Sequence, residues 1–464
     1  MGVRPLSEVS SYDASLPRYG APSSSPGSLW VHSAGAAPAW STLVDDLQVD
    51  ILVIGAGFTG LSTAIALLER GAEVAVVDAG DPGAGASGRN GGQVIPVLKR
   101  MPDSLRAGLG EEVARGLIDM VAGSADNVFD MIRRYDIDCD GVQNGWIQAA
   151  RSERGEAVLR ERCRIWAQEG IACRSLDARE VAELSGASAF RSGWTLTRAG
   201  SVQPLKYARG LAQAVQGLGG AVHAKTPIVS LQEHAGRWQA RTESGRTISA
   251  RKVVLATNGY TTGLWPGLRE SVVPVYSMQV ATEPLPADIG ATILPQGQTM
   301  TDDNHLVHYF RRDAQGRFIM GSRGPFHDQP GAKAVQGLID RTCRMFPQLR
   351  DIAFPHAWAG KVAMTTDYLP HLHRLAPGVT AAVGFNGRGV ALATTMGRIL
   401  ASATLDDEPK SGDFPITPLK PIPMHGVHRT GVRMMIWYYR LAMKPPLSPP
   451  LTRNEIAAEQ SVRH

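Results

Sequence analysis

The chain has 464 residues, 43% hydrophobic and 20% charged, which is the balance of an ordinary globular protein. At roughly 150 residues per domain it allows two or three domains, or two interleaved ones. Lys and Arg outnumber Asp and Glu only by 48 to 43, and no stretch alternates basic with aromatic residues, so a nucleic-acid groove is excluded and a small anionic ligand suits the mild excess better.

In chain order, residues 1–48 form a Ser-, Pro- and Gly-rich arm in which only Leu29-Trp30-Val31 is apolar enough to dock. The first residues lack the apolar core of a signal peptide, Leu6 breaks the myristoylation pattern, and no run reaches the length of a membrane span; a cytoplasmic protein is expected. Asp50–Ile54 reads as a buried strand, Gly60–Arg70 as a helix and Glu73–Val77 as a second strand ending on Asp78, together one βαβ unit. Polar helices are predicted near 110–135 and 152–169, and alternating segments near 190–200 and 220–256. A strand pair, His305–Arg311 and Arg317–Gly321, is predicted across Asp313-Ala314-Gln315-Gly316. The four cysteines, Cys139, Cys163, Cys173 and Cys343, show neither CxxC nor Cys–His spacing, so they read as reduced thiols and no metal site is expected. Past the Pro-rich segment Pro415–Pro423, Arg429–Lys444 places Arg429, Arg433, Arg440 and Lys444 within about 60° on a helical wheel, a basic stripe on an otherwise apolar helix. Docking against protein is favoured over an anionic membrane surface, because Trp437, Tyr438 and Tyr439 span much of the circumference.

The βαβ unit carries Gly55-x-Gly57-x-x-Gly60, with Asp78 at about the 20-residue offset of a dinucleotide fingerprint. Gly55 permits the tight turn, Gly57 lets backbone approach a pyrophosphate, and Gly60 lets helix and strand pack closely, while the helix amino terminus offers free N–H groups to the anion. Asp78 can accept from a ribose. This much does not separate NAD from FAD. The stretch ASGRNGGQV, Ala86–Val94, does: Ser87 can cap a helix that adds N–H donors to the pyrophosphate, and Asn90-Gly91-Gly92 is bare enough to pass against a flat ring. Nicotinamide enzymes normally proceed to a plain crossover there.

These blocks, with VVLATNGYT (Val253–Thr261) and GFNGRGVALATTMG (Gly384–Gly397), resemble the flavin amine oxidases of the glycine oxidase, D-amino-acid oxidase and sarcosine oxidase type. ASGRNGGQ and the lead-in around Trp30 are most similar to the γ-glutamylputrescine oxidase branch. The resemblance implies an α/β fold, with a Rossmann-like FAD-binding domain (49–135, 205–265 and 356–423) interleaved with an α+β substrate domain on an antiparallel sheet (136–204 and 266–355), and a C-terminal basic extension at 424–464. It places Gly55, Gly57, Phe58, Thr59 and Gly60 at the pyrophosphate and Asp78 at the adenosine ribose. Ser87, Arg89, Asn90, Gly91 and Gly92 would lie along the path to the flavin, Ile228 would meet adenine by its backbone, and Ala256–Gly259 would turn beneath the cofactor. Asn386, Gly387, Arg388, Gly389 and Val390 would begin a helix aimed at the flavin pyrimidine, where reduced flavin carries negative charge that a helix amino terminus stabilises.

Two departures narrow the chemistry. The arginine that grips the substrate carboxylate in glycine and D-amino-acid oxidases corresponds to Val362, so that clamp is absent, and Lys361 should face the other way. The cysteine that tethers flavin in sarcosine oxidases corresponds to Gly360, which implies non-covalent FAD. Tyr309 matches a position over the substrate, with His308 and Phe310 on the opposite face and Arg323 and His305 as further pocket candidates. The expected activity is oxidation of a primary or secondary amine, a γ-glutamylated amine among the candidates, to an imine that hydrolyses to aldehyde or ketone, with O2 as acceptor and H2O2 as product. A dehydrogenase passing electrons to a quinone or carrier, and a flavin-binding protein without turnover, are the alternatives.

Overall fold

The computed structural model describes residues 28–406, save 305, 325, 326 and 328, and residues 414–428, 430, 431 and 434. Among them, two eight-stranded sheets carry most of the strands. At the centre of the first lies Leu47–Ile54, flanked in parallel by Val74–Val77 and by Thr247–Leu255. Ala221–His223 and Val379–Val383 extend it in parallel on either side, and His371–Ala376 closes one edge antiparallel. The hairpin Ile228–His234/Arg237–Thr242 pairs onto Thr247–Leu255. The run Val74–Val77 is buried throughout and so is Ile51–Ile54, the continuous apolar pattern of parallel strands covered on both faces.

The helix Phe58–Leu68 is buried almost all round because Gly389–Leu405 and Pro204–Gly217 pack against it. Its approach to Gly389–Leu405 is close: a Cβ on Gly397 would come 2.4 Å from the Cβ of Ser62. The predicted helix at 110–135 is two, Glu111–Ala122 and Ser124–Arg134, broken at Gly123, and Pro102–Leu109 precedes them.

The second sheet runs His356–Met364, Val273–Pro284, Arg317–Arg323, Tyr309–Arg312, Thr299–Asp302, Trp146–Ala150, Ser192–Leu196, Cys173–Asp177. All neighbours are antiparallel except Thr299–Asp302 with Trp146–Ala150. His356–Met364, counted from the sequence with the FAD-binding segments, pairs along Val273–Pro284 instead. Its alternation of small and apolar residues fits either sheet, and only the pairing decides. One face of this sheet packs Met300, Phe310, Phe318 and Met320 against Phe346, with the Phe318 and Phe346 rings 4.9 Å apart edge to face. The opposite face looks into the cavity described below.

The lead-in docks as a short helix, Leu29–Ser33, with Leu29 and Trp30 fully buried against Leu205, Ile319 and Trp358. Residues 424–464 form a separate unit, described at 424–428, 430, 431 and 434, which includes the 3-10 turn His425–Val427. The helix expected at Arg429–Lys444 falls almost entirely outside the described residues, as does His305. Among the described residues no helix is long and apolar enough to cross a membrane.

Candidate cofactor and substrate site

A single cavity of about 680 Å³ runs from the carboxyl ends of the first sheet's strands to the inner face of the second sheet. Gly55, Gly57, Phe58, Thr59, Asp78, Ser87, Arg89, Asn90, Gly91, Ile228, Ala256, Gly259, Tyr309, Gly387, Arg388, Gly389 and Val390 all line it. Gly60 and Gly92 stand behind the wall, and packing explains both. A Cβ on Gly60 would lie 1.9 Å from the carbonyl oxygen of Gly55, and one on Gly92, where φ is +70°, would lie 2.1 Å from that of Val202.

At the fingerprint end, helix Phe58–Leu68 begins at Gly57 with no side-chain cap of its own. Ser87 was expected to cap a helix of its own segment. Ala86–Gly88 is instead one 3-10 turn among glycines, and Ser87 Oγ reaches back to accept from Phe58 N at 3.0 Å. Asp78 takes backbone N–H bonds from Ala56 (2.7 Å) and Gly80 (2.8 Å). Desolvation nevertheless pushes its carboxyl up to about 6, the two N–H bonds opposing that rise. The helix Gly389–Leu405 begins three residues after Asn386, because Asn386 (φ 52°) and Gly387 (φ 82°) are left-handed and turn the chain into it. Asn386 accepts from Thr365 N at 2.9 Å, so its side chain holds this turn.

The Arg89–Gly92 loop is gripped from outside through its carbonyls. Gln279 Nε2 (2.6 Å) and Trp358 Nε1 (3.0 Å) donate to the carbonyl of Arg89, and Trp30 Nε1 donates to that of Asn90 at 2.7 Å. Buried Arg311 donates to the carbonyls of Gly91, Gly92 and Val202. A trans peptide sets each N–H antiparallel to the preceding carbonyl, so the N–H groups of Asn90 and Gly91 face away from these donors. The side chains of Arg89 and Asn90, expected to meet cofactor, serve the loop itself. Arg89 donates to Ala84 and Ala359, and Asn90 bridges Ala86, Ser87 and Gly92. Sequence reasoning singled out Trp30 for docking but missed its hydrogen bond, and it missed Gln279, Arg311 and Trp358; no local pattern links residues from four distant segments.

The far wall is one face of the second sheet, fixed by register. Tyr309 pairs with Gly321, Ser277 with Arg323 and with Gly360, and Val275 with Val362. The Tyr309 ring fills the space above Gly321 and lies against Gly91, where a Cβ would come 2.8 Å from its Cε2. Its hydroxyl is hydrogen-bonded to Ser277 Oγ, and burial pushes the phenol pKa up, so it stays neutral. His308 turns to the other side and pairs with Asp302 at 2.6 Å. Val362 lines the cavity. Gly360 faces Arg89. Lys361, expected to face the other way, lines the cavity as well, packed against Gly259 with its ammonium 4.5 Å from the centre of the Tyr260 ring.

The donor set fits a dinucleotide carrying a flat ring: a helix start with glycine at its N-cap beside glycines whose Cβ atoms would collide, then a loop with its carbonyls turned outward, in a volume within the usual range of about 300–1,000 Å³ for ligand sites. Gln279 Oε1, beside Gly91, is buried with no hydrogen-bond partner among the described residues.

The chain is 30% identical over 404 residues to γ-glutamylputrescine oxidoreductase of Escherichia coli, covering 85% of this chain and 93% of that one. It is 32% identical over 373 residues to a probable oxidoreductase, OrdL, of Haemophilus influenzae, covering 79% and 85%. The fold matches the crystal structure of glycine oxidase from Geobacillus kaustophilus with a TM-score of 0.66 at 22% identity, covering 81% of this chain and 99% of that one. The family of FAD-dependent oxidoreductases termed DAO matches residues 50–403, and the chain belongs to that family.

Proposed function

We propose that this protein holds FAD non-covalently and oxidises a primary or secondary amine to an imine, which water hydrolyses to an aldehyde or ketone, with O2 reduced to H2O2. The observation that carries this reading is the continuity of one cavity from the glycine-lined fingerprint to the Tyr309–Val362 face of the second sheet. Gly55, Gly57, Phe58 and Thr59 would hold the pyrophosphate, Asp78 the ribose and Ile228 the adenine. Asn90, Gly91 and the start of Gly389–Leu405 would hold the ring. Bound flavin supplies the two-electron acceptor for the amine's α C–H and passes the electrons on.

The chain's own residues supply position. Tyr309 offers a neutral phenol to a polar substrate group, and Val362 offers no charge to a carboxylate beside the reacting carbon, which disfavours glycine and D-alanine as substrates. The described residues of the lining include no cysteine and no histidine, which supports a non-covalent flavin. The relative that oxidises γ-glutamylputrescine makes γ-glutamylated amines the first substrates to try. Anaerobic addition of an amine series to the yellow protein should bleach the flavin, and air should restore the colour with stoichiometric H2O2. Bleaching that only a quinone reverses would make it a dehydrogenase, and no bleaching by any amine would sink the proposal. Acid precipitation should release intact FAD into the supernatant.

A further inference from the structure

On the side of the cavity away from the fingerprint, Lys99, Arg323 and Arg388 stand in one wall with Gln148 and Thr301, and Arg162 backs them. Arg162 donates to Gln148 Oε1 at 3.1 Å and to the carbonyl of Lys99 at 3.3 Å. Among the described residues the lining holds two acids, Asp78 and Glu243, and both belong to the fingerprint end: Asp78 ends its strand, and Glu243 N donates to the carbonyl of Pro227. The cations are therefore seated without counter-charge. Arg388 lies over Trp146 at 5.5 Å and Lys99 over Tyr368 at 5.6 Å, aromatic faces that position a charge without cancelling it. Arg323 Nη2 and Arg388 Nε are buried with no hydrogen-bond partner among the described residues. Desolvation, and then repulsion from Arg388, Arg323 and Arg162, push the Lys99 amine down to about 8.

Lys99 is exposed at the mouth of this wall and Arg323 and Arg388 are half-buried, and the buried, unpartnered nitrogens of the two arginines are costly unless a ligand anion completes them. Register shows where that anion would sit. Arg323 pairs with Ser277, whose hydroxyl is bonded to Tyr309, so guanidinium and phenol share one face of the sheet, across from Val362. We propose that Arg323, Lys99 and Arg388 bind a substrate carboxylate remote from the reacting nitrogen, so that the enzyme selects amines carrying an acid at the far end of the molecule. The proposal rests on the amine-oxidation reading above and deepens it. A fork of Arg N–H donors matches a carboxylate in two-point contact, whereas a free diamine would bring a second ammonium against like charge. A γ-glutamyl group carries such a carboxylate beside an ammonium, and a glutaryl group carries it alone; with no acid in this wall, the glutaryl form should bind at least as well.

The test compares one diamine acylated at a single nitrogen in three ways, by γ-glutamyl, by glutaryl, and by glutaryl with its free acid converted to the carboxamide, so that each compound keeps one free amine. With the flavin-loaded protein, kcat/KM for the glutaryl compound should exceed that of its carboxamide by about 30-fold, the scale of charged hydrogen bonds in a shielded site. Arg323→Met should cut the preference below about threefold and Arg323→Lys should restore part of it, with Lys99→Met giving a smaller loss in case the Arg323 variant folds poorly. In parallel, calorimetry with an N-alkyl glutaramic acid, which has no amine to oxidise, should show binding that its carboxamide lacks and that Arg323→Met abolishes. If amines bleach the flavin but acid and carboxamide are treated alike in both assays, the inference is overturned while the function stands. If no amine bleaches the flavin, the function fails and the calorimetric comparison alone decides whether this wall binds a carboxylate.

Discussion

The two ends of the cavity are made of different material. At the fingerprint end the lining is largely backbone: glycines at 55, 57 and 91, a helix start with glycine at its N-cap, and a loop whose carbonyls are held from behind. At the sheet end it is side chains, Tyr309, Arg323, Val362 and Gln148, each standing on a strand whose register sets its direction. A site made of backbone tolerates few residue types and repeats across proteins that share a cofactor. A site made of side chains can be rewritten residue by residue without disturbing the sheet, and substrate selectivity belongs there.

Glycine substitutions give the largest effects. Gly60→Val should fail to give folded protein, because its Cβ would meet the backbone oxygen of Gly55 at 1.9 Å and overpacking against backbone costs about 3 kcal/mol or more. Soluble yield and the thermal melt read this out. Gly57→Val meets only the Ser87 hydroxyl, at 2.8 Å, and the open cavity. It should fold but purify colourless, and full flavin absorbance in that variant would place the cofactor elsewhere.

The clamp between the two ends comes next. Trp30→Ala removes a fully buried indole and the donor to the Asn90 carbonyl, and should cost about 3–5 kcal/mol in denaturant unfolding. Trp30→Phe keeps most of the packing and should cost about 1 kcal/mol for the lost hydrogen bond. If flavin affinity is unchanged in both, the clamp stabilises the fold without shaping the loop.

Asp78 separates the ends by pH. Its carboxyl rises from 3.8 to about 6 in the folded, flavin-free protein, chiefly through desolvation, so the folded state holds a proton that the unfolded chain has released. Across that window the unfolded state binds fewer protons, and stability falls as pH rises. Wild-type protein stripped of flavin should therefore lose melting temperature relative to Asp78→Asn between about pH 4 and pH 6, with a constant gap above. The opposite slope would mean that the N–H bonds of Ala56 and Gly80 outweigh burial.

Tyr309→Phe should have the smallest effect, about 1 kcal/mol of stability for the bond to Ser277 and a fall in kcat/KM under about tenfold, seen mainly in KM. A large fall in kcat would give the hydroxyl a part in the chemistry itself.

What was legible in the sequence follows the same division. The strand–helix–strand unit, Asp78, the ASGRNGGQ loop and the hairpin turn at Asp313–Gly316 were readable because each is a local pattern: apolar periodicity, glycine spacing or turn chemistry. Ser87 was legible as a capping residue but not as the cap of Phe58–Leu68, since its partner lies 29 residues away. The split at Gly123 shows a glycine ending a helix that periodicity alone would continue.

The dinucleotide fingerprint and the bare loop after it are written in local residue order, because glycine is demanded wherever backbone must approach a ligand or another backbone, whatever the rest of the chain does. Long-range pairing and packing set which sheet receives His356–Met364, which four segments hold the Arg89–Gly92 carbonyls, and that Lys99, Arg323 and Arg388 share one wall without an acid among the described residues. Those facts depend on strand register and on contacts between residues tens to hundreds of positions apart, and a shift of one residue in pairing would turn Arg323 and Val362 to the opposite face.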